Sequence, residues 1–305
     1  MKLQHIQVII AVAEEGTIRG AARRLNRTQP AMTKALHQVE EDLGVSLFQR
    51  TPQGVKTTEM GEAVLARARS VAMEMERLEN EVAQMKGDLL GAVRVCVSPA
   101  AATLVIPRAL ASFRHYSPDV DVTIADGLYP SVLQQLRNGH LDLVVGPTPP
   151  VLWTSDIRVE KLFRMDIVVA TGARSKWRNA TRLEELVEAD WLMLGSAQGP
   201  GDIIAAAYTE LGLTPPRIRT AAESFLAGVG ALEQTDLVCT FPELLFDHFT
   251  RRGFTLQRID IANPVEPLEI CLLTRAEHPL TPAAEKLATC CRYWSQPERL
   301  SDAPA

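Results

Sequence analysis

Gln29 and Thr33 stand one helical turn apart with Lys34 directly after them, a trio that can read and hold a DNA duplex. A Gln amide makes two hydrogen bonds to the edge of adenine, a Thr methyl packs on the methyl of thymine, and a Lys ammonium neutralises a phosphate. Arg27 and Thr28 come just before, where they can grip the sugar-phosphate backbone and fix register, and Pro30 and Ala31 complete the run. Arg50 and Lys56 flank a turn containing Gly54 and can reach backbone or minor groove. Catalytic chemistry has no comparable support. No Gly-x-Ser-x-Gly elbow surrounds Ser98, no Gly-x-Gly-x-x-Gly follows the first strand of the body, and there is no Walker loop, so no enzyme is expected. The six His residues are scattered without metal-ligand spacing, so neither metal nor cofactor is expected.

Three short helices must position the first group. Leu3, Ile6, Ile10 and Ala13 recur at three to four residues and predict a helix ending near Gly16. Thr17 is placed to cap a second helix, with Ile18, Ala21, Ala22 and Leu25 facing inward and Arg19, Arg23 and Arg24 outward. Thr28 can cap a third, where Pro30 is tolerated because the N–H it lacks would have no intrahelical partner. Met32, Leu36, Val39 and Leu43 form its inward stripe, which leaves Gln29, Thr33, Lys34, His37 and Gln38 outside. From Leu47 to Thr57 two short strands around Gly54 predict a wing. The competing reading is a small helical bundle whose polar face is merely solvated.

The run Gly16-Thr17-Ile18-Arg19-Gly20-Ala21-Ala22-Arg23-Arg24-Leu25, then Thr28-Gln29-Pro30-Ala31, then Leu43-Gly44-Val45-Ser46-Leu47-Phe48-Gln49-Arg50, resembles the LysR-type transcriptional regulators. Thr57 departs from the usual Leu of that wing, and Met60 from the usual Ala before Gly61. The resemblance implies a winged helix-turn-helix, a long linker helix and a two-lobed α/β effector domain like a periplasmic binding protein. It implies a homodimer or tetramer on double-stranded promoter DNA, acting with RNA polymerase. The boundaries expected are 1–58 for the DNA-binding domain, 59–90 for the linker and dimerisation helix, and 91–305 for the effector domain.

Charge distribution agrees with such a division. The 305 residues are 46% hydrophobic with a net charge of −5, yet eight Lys and Arg against five Asp and Glu leave residues 1–58 at +3, so the rest carries −8. A basic head on an acidic body suits a protein whose body does not touch DNA. No run of about 18 apolar residues occurs, and the first residues lack the apolar core of a signal peptide. A cytoplasmic location without membrane contact is expected.

Met60, Val64, Ala68, Val71, Met75, Leu78, Val82, Met85 and Leu89 advance by fours and threes, a heptad-like seam too narrow for a globular core. It predicts a rod covered by a partner helix, ended by Gly87 and Gly91. Beyond it, apolar strands alternate with helices: 92–97, 120–125, 141–145, 167–170, 191–194, 237–240 and 268–274, with helices over 104–116, 129–138, 203–211 and 282–294. Crossings near Lys161 and Pro267 would give a first lobe of 92–161 plus 267–305 and a second of 162–266.

Ligands of open α/β sheets sit beyond the carboxyl ends of strands, near helix N-termini. Ser98-Pro99-Ala100 and Gly199-Pro200 occupy such places, and Leu128-Tyr129, Thr148 and Ser224-Phe225 could add an aromatic wall and polar tips. This arrangement suits a carboxylate or sulfonate. Asp126-Gly127-Leu128-Tyr129-Pro130 and Glu223-Ser224-Phe225, taken with these loops, look similar to the family branch that responds to aromatic acids and sulfonates, and so imply a small aromatic anion as effector. Of five cysteines, Cys96, Cys239 and Cys271 lie in apolar strands and should be buried and reduced. The pair Cys290-Cys291 raises redox sensing as an alternative, though no flanking pattern marks a low-pKa thiol beyond the adjacent Arg292.

Overall fold

The computed structural model describes residues 1–52, 54–86, 90–127, 131–148, 155–195, 203–263 and 265–300. The chain forms two compact units, the first built on Met1–Ala83 and the second beginning at Gln84.

In the first unit α1 (Leu3–Glu15), α2 (Ile18–Arg24) and α3 (Gln29–Leu43) precede a two-stranded ribbon of β1 (Phe48–Thr51) and β2 (Gly54–Thr57). Thr17 caps α2 by accepting from the Gly20 amide at 3.1 Å, and Thr28 caps α3 by accepting from the Ala31 amide at 3.4 Å. Both α1 and α3 end in left-handed glycines, Gly16 and Gly44, as helices commonly do. The buried side of α1 differs from the expected stripe. Val8, Ile9 and Val12 are fully buried beside Ile6, whereas Leu3 is 43% exposed. The reason is that α1 touches α2, α3 and β2, so one helix is covered from several sides. Leu43, in the last turn of α3, is likewise exposed.

The ribbon is fastened to the helices by backbone. Val55 N donates to Gly16 O at 2.7 Å, and a Cβ on Gly54 would lie 2.3 Å from that oxygen. Gly54 also has φ +137°, so it answers both a positive φ and a close approach. At the two departures from the family pattern, the Thr57 hydroxyl bonds the Glu62 carboxylate and Met60 is exposed, and the ribbon pairs from Phe48–Thr57 to Thr51–Gly54. The long helix α4 (Glu59–Met85) follows. Leu65 and Ala68 bury against the helices of the head, while Val71, Leu78, Val82 and Met85 lie exposed. Gly87 and Leu89 lie outside the described residues.

The second unit contains two five-stranded sheets. The first has the order β4 (Val120–Asp126), β3 (Gly91–Val97), β5 (Leu143–Pro147), β12 (Leu268–Arg275) and β6 (Ile157–Met165). The second has the order β11 (Leu256–Ile259), β7 (Ile167–Gly172), β10 (Val238–Pro242), β8 (Asp190–Leu194) and β9 (Arg217–Ala222). Helices α5 (Pro99–Leu104), α6 (Ile106–Tyr116), α7 (Ser131–Arg137), α11 (Pro282–Trp294) and α12 (Pro297–Leu300) belong to the first lobe. The second lobe holds α8 (Ile203–Glu210), α9 (Phe225–Gln234) and α10 (Glu243–Arg251).

Three strands, β6, β9 and β11, are absent from the sequence reading, and each is an edge strand. Edge strands keep polar side chains in solvent, so Arg158, Glu160, Arg217, Arg219, Gln257 and Arg258 mask the apolar run. The chain first passes between sheets at Asp166 and not at Lys161. Lys161 pairs with Cys271 within the first sheet, and buried Phe163 and Met165 carry β6 onward past it. The return lies between Ile259 and Leu268.

Candidate functional site

Two surfaces carry the residues singled out in sequence. On the first unit, Gln29, Pro30, Thr33, Lys34, His37, Gln38 and Glu41 line one shallow groove along α3. Gln29, Pro30, Ala31 and Lys34 are exposed and Thr33 is half-buried. Arg27 is exposed and bonds Gln4 Oε1 at 3.5 Å, close enough to steady it and weak enough to release. Gln38 donates to Asp42 at 3.0 Å. That bond and one from the chain's amino terminus hold the Asp42 carboxyl below its ordinary value.

Lys56 pairs across the ribbon with Gln49, and Arg50 with Val55. Directly opposed residues share a face and successive residues alternate, so Arg50 and Lys56 project from opposite faces of the wing. Sequence spacing alone does not show this. Lys34, Arg50 and Lys56 form no ion pair among the described residues, and neither do Arg19 and Arg23 on α2. Arg24, by contrast, is held by Glu14 at 2.5 Å. These five cations lie on α2, α3 and the ribbon.

On the second unit a cavity of about 70 Å³ opens between the two sheets. Ser98, Pro99 and Ala100 enter it from the start of α5, and Pro147 from the end of β5. Met165, Ile167, Leu268 and Ile270 come from the strands flanking the two passages. The second sheet and its helices supply Leu194, Gly195, Glu223, Phe225, Thr240, Pro242 and Leu245. Ser98 is 2% exposed, and its Oγ accepts from the Ala101 amide at 3.4 Å, which leaves its own O–H to give. Phe225 opens α9 and packs edge-on against Phe241 at 5.4 Å between ring centres.

Ser98, Pro99, Ala100 and Phe225 thus come together. Ser224 does not line the cavity; it caps α9 by accepting from the Ala227 amide. Thr148 also stands apart, its hydroxyl 2.9 Å from Cys271 Sγ and its amide bonded to Glu269 O. Leu128, Tyr129, Gly199 and Pro200 lie outside the described residues. Thr240 and Glu223 were not among the expected ligand residues. Glu223 directly follows the carboxyl end of β9, the signal that would have found it, whereas Thr240 lies in the middle of β10 and carries no such signal.

Residues 3–62 match the model for the bacterial regulatory helix-turn-helix protein, lysR family, and residues 86–296 match the LysR substrate binding domain. The chain belongs to the LysR family. It is a LysR-type transcriptional regulator, with an N-terminal helix-turn-helix and a two-lobed substrate-binding domain. It is 27% identical over 246 residues to the HTH-type transcriptional regulator TdcA of Escherichia coli, covering 81% of this chain and 74% of TdcA. It is 26% identical over 290 residues to the HTH-type transcriptional regulator GalR of Pseudomonas putida, covering 95% of this chain and 73% of that one. The crystal structure of CbnR, a LysR family transcriptional regulator, shares the fold with a TM-score of 0.71 at 20% identity, over 97% of this chain and 100% of CbnR.

All five cysteines of this LysR regulator are buried and unpaired with one another. Burial pushes Cys96 up to about 11 and Cys291 up to about 12, and raises Cys239, Cys271 and Cys290 as well. A thiol with its pKa raised by apolar surroundings is a poor nucleophile at neutral pH. Among the described residues no helix is long and apolar enough to cross a membrane, and no group of His, Cys, Asp and Glu could hold a metal.

Proposed function

We propose that this regulator binds double-stranded promoter DNA as a homodimer or a tetramer of dimers, through α3 and the wing, and acts on transcription with RNA polymerase. Residues 1–58 serve as the DNA-binding domain, 59–90 as the linker helix and 91–305 as the effector domain. The observation that carries this reading is the first turns of α3, where Gln29, Thr33 and Lys34 line one groove and Gln29, Pro30, Ala31 and Lys34 are exposed. Gln29 and Thr33 read base edges; Arg27, Thr28 and Lys34 hold phosphates, Arg50 and Lys56 reach backbone or minor groove, and Pro30 and Ala31 keep the start of α3 slim enough to enter the major groove. The CbnR structure solved with its target DNA supports the same use of the fold.

Lys34→Ala and Gln29→Ala separate these roles on DNA selected by the protein from a random pool. Lys34→Ala should weaken selected and random DNA alike and reduce the salt slope by about 0.9 per head. Gln29→Ala should weaken selected DNA only. Equal losses on both DNAs for both variants would refute the assignment.

The cleft cavity is the effector site in this reading, supported by its place between two lobes and by Ser98, Pro99, Ala100 and Phe225 in its wall. An aromatic carboxylate or sulfonate, the class implied by sequence, finds a ring partner in Phe225 and a donor in Ser98. It also meets two obstacles. A cavity that encloses benzene measures about 150 Å³, against about 70 Å³ here, so an aromatic ring is not fully enclosed by the wall and reaches its open side. The second obstacle is electrostatic and leads further.

A further inference from the structure

We infer that the effector of this cleft is a compact apolar molecule ending in an amine, with Glu223 as the residue that selects it; this rests on the reading of the cavity as the effector site. Eleven of the fifteen residues lining the cavity are apolar, and the polar side chains are Ser98, Thr240 and Glu223. Glu223 is the single ionisable group among the described lining residues, and no hydrogen bond or ion pair engages its carboxylate there. The chain segments 128–130, 149–154 and 196–202 contain no Lys, Arg or His. Thr240 Oγ1 also makes no hydrogen bond among the described residues.

A carboxylate or sulfonate seated here would give up hydration for an apolar wall, without a cation to replace it and with a like charge at the rim. Burial of an unpaired charge is among the most unfavourable steps in recognition. An ammonium reverses each term. It pairs with the carboxylate in a charge-assisted bond, its remaining protons can be accepted by Thr240 Oγ1, and its alkyl stem lies against Leu194, Phe225 and Leu245.

The test uses the full chain with size-matched probes, n-butylamine against butanoate and benzylamine against benzoate, read by calorimetric titration and thermal shift. The amine of each pair should bind at least about tenfold tighter than the acid. Glu223→Gln should reduce amine affinity by about tenfold and bring the pair within about threefold of each other, and Glu223→Asp should restore part of the preference. Ala100→Leu, which fills the cavity, should abolish binding of both. Tighter binding of the acid in either pair, or an amine preference unchanged in Glu223→Gln, would overturn the amine class. If acid binding is also lost in Ala100→Leu, the cleft remains the effector site. No saturable binding of any probe by the parent protein would overturn both readings.

Discussion

Glu40 is placed to join α3 to the wing, and removing it should loosen the wing before it unfolds the head. Its Oε1 accepts from Leu47 N at 2.7 Å, Phe48 N at 3.1 Å and the Ser46 hydroxyl at 3.3 Å. Leu47 is fully buried and Phe48 is 8% exposed, so their amides have little access to replacement water. A hydrogen bond to a charged group contributes about 1.5–3 kcal/mol. Glu40 is itself half-buried, which favours the lower figure, so the two amide bonds together amount to about 3 kcal/mol. Glu40→Ala removes both. Glu40→Gln keeps one carbonyl acceptor at about 1 kcal/mol per neutral bond, and should cost roughly 1 kcal/mol in all. The four Trp residues, at 153, 177, 191 and 294, all lie in the body, so fluorescence is blind to this change. Hydrogen exchange over residues 46–57 reads it directly. Exchange at Leu47 and Phe48 should quicken by about a hundredfold in Glu40→Ala and about fivefold in Glu40→Gln. Equal acceleration in the two variants, or none in either, would refute the role given to the carboxylate.

Gly61→Ala should destabilise the head by at least about 2 kcal/mol, although Ala normally strengthens a helix, because its Cβ would meet the Leu47 carbonyl oxygen at 2.0 Å; a raised melting temperature would contradict this. Leu78→Glu should dissociate the proposed dimer in sedimentation, since Leu78 is 54% exposed in a stripe with Val71, Val82 and Met85, and an unchanged mass would show that the stripe is not the interface. Cys96 at about 11 and Cys291 at about 12 stand above the ordinary thiol value of 9.0. The folded state therefore keeps protons that the unfolded state releases, so this stability is complete below about pH 9 and falls as pH rises toward 11 and 12. Under reducing conditions the urea midpoint should drop across that window, and less steeply in a variant with Ala at both positions; identical slopes would refute the assignment.

The head was legible because its signals are local. Thr17 and Thr28 announce two helix starts, Gly16 and Gly44 two ends, and a cap acts within three residues of itself. The central strands were legible for a similar reason, each being a mostly apolar run with few charged residues, such as Arg94 in β3 or Glu269 in β12. Three of the four edge strands of the body were not, because polar side chains such as Arg158 and Arg217 lie in solvent while the backbone still pairs; β4, whose Val120, Val122 and Ile124 alternate, was. The cavity was half legible. Ser98 stands out as a hydroxyl before a helix, but Met165, Ile167, Leu268 and Ile270 look like any core residues until two sheets are brought together. Opposite projection of Arg50 and Lys56 required the register of the ribbon, which spacing alone leaves open.

The lining of the cavity also bears on how an occupant could be felt. Met165 and Ile167 flank Asp166, where the chain leaves the first sheet, and Leu268 and Ile270 begin the strand by which it returns. These four side chains stand where the lobes are joined, so an occupant touches the two connections that set the angle between the sheets. Ser98 and Ala100 on one lobe and Phe225, Thr240 and Leu245 on the other complete the wall, and their separation changes with that angle. A ligand shifts an equilibrium only by its differential affinity for the two arrangements. With about 70 Å³ available, a molecule that presses on both lobes would favour a wider separation and one that fits would favour the arrangement described here. Ligand size would then set the direction of the response, while Glu223 sets which molecules enter.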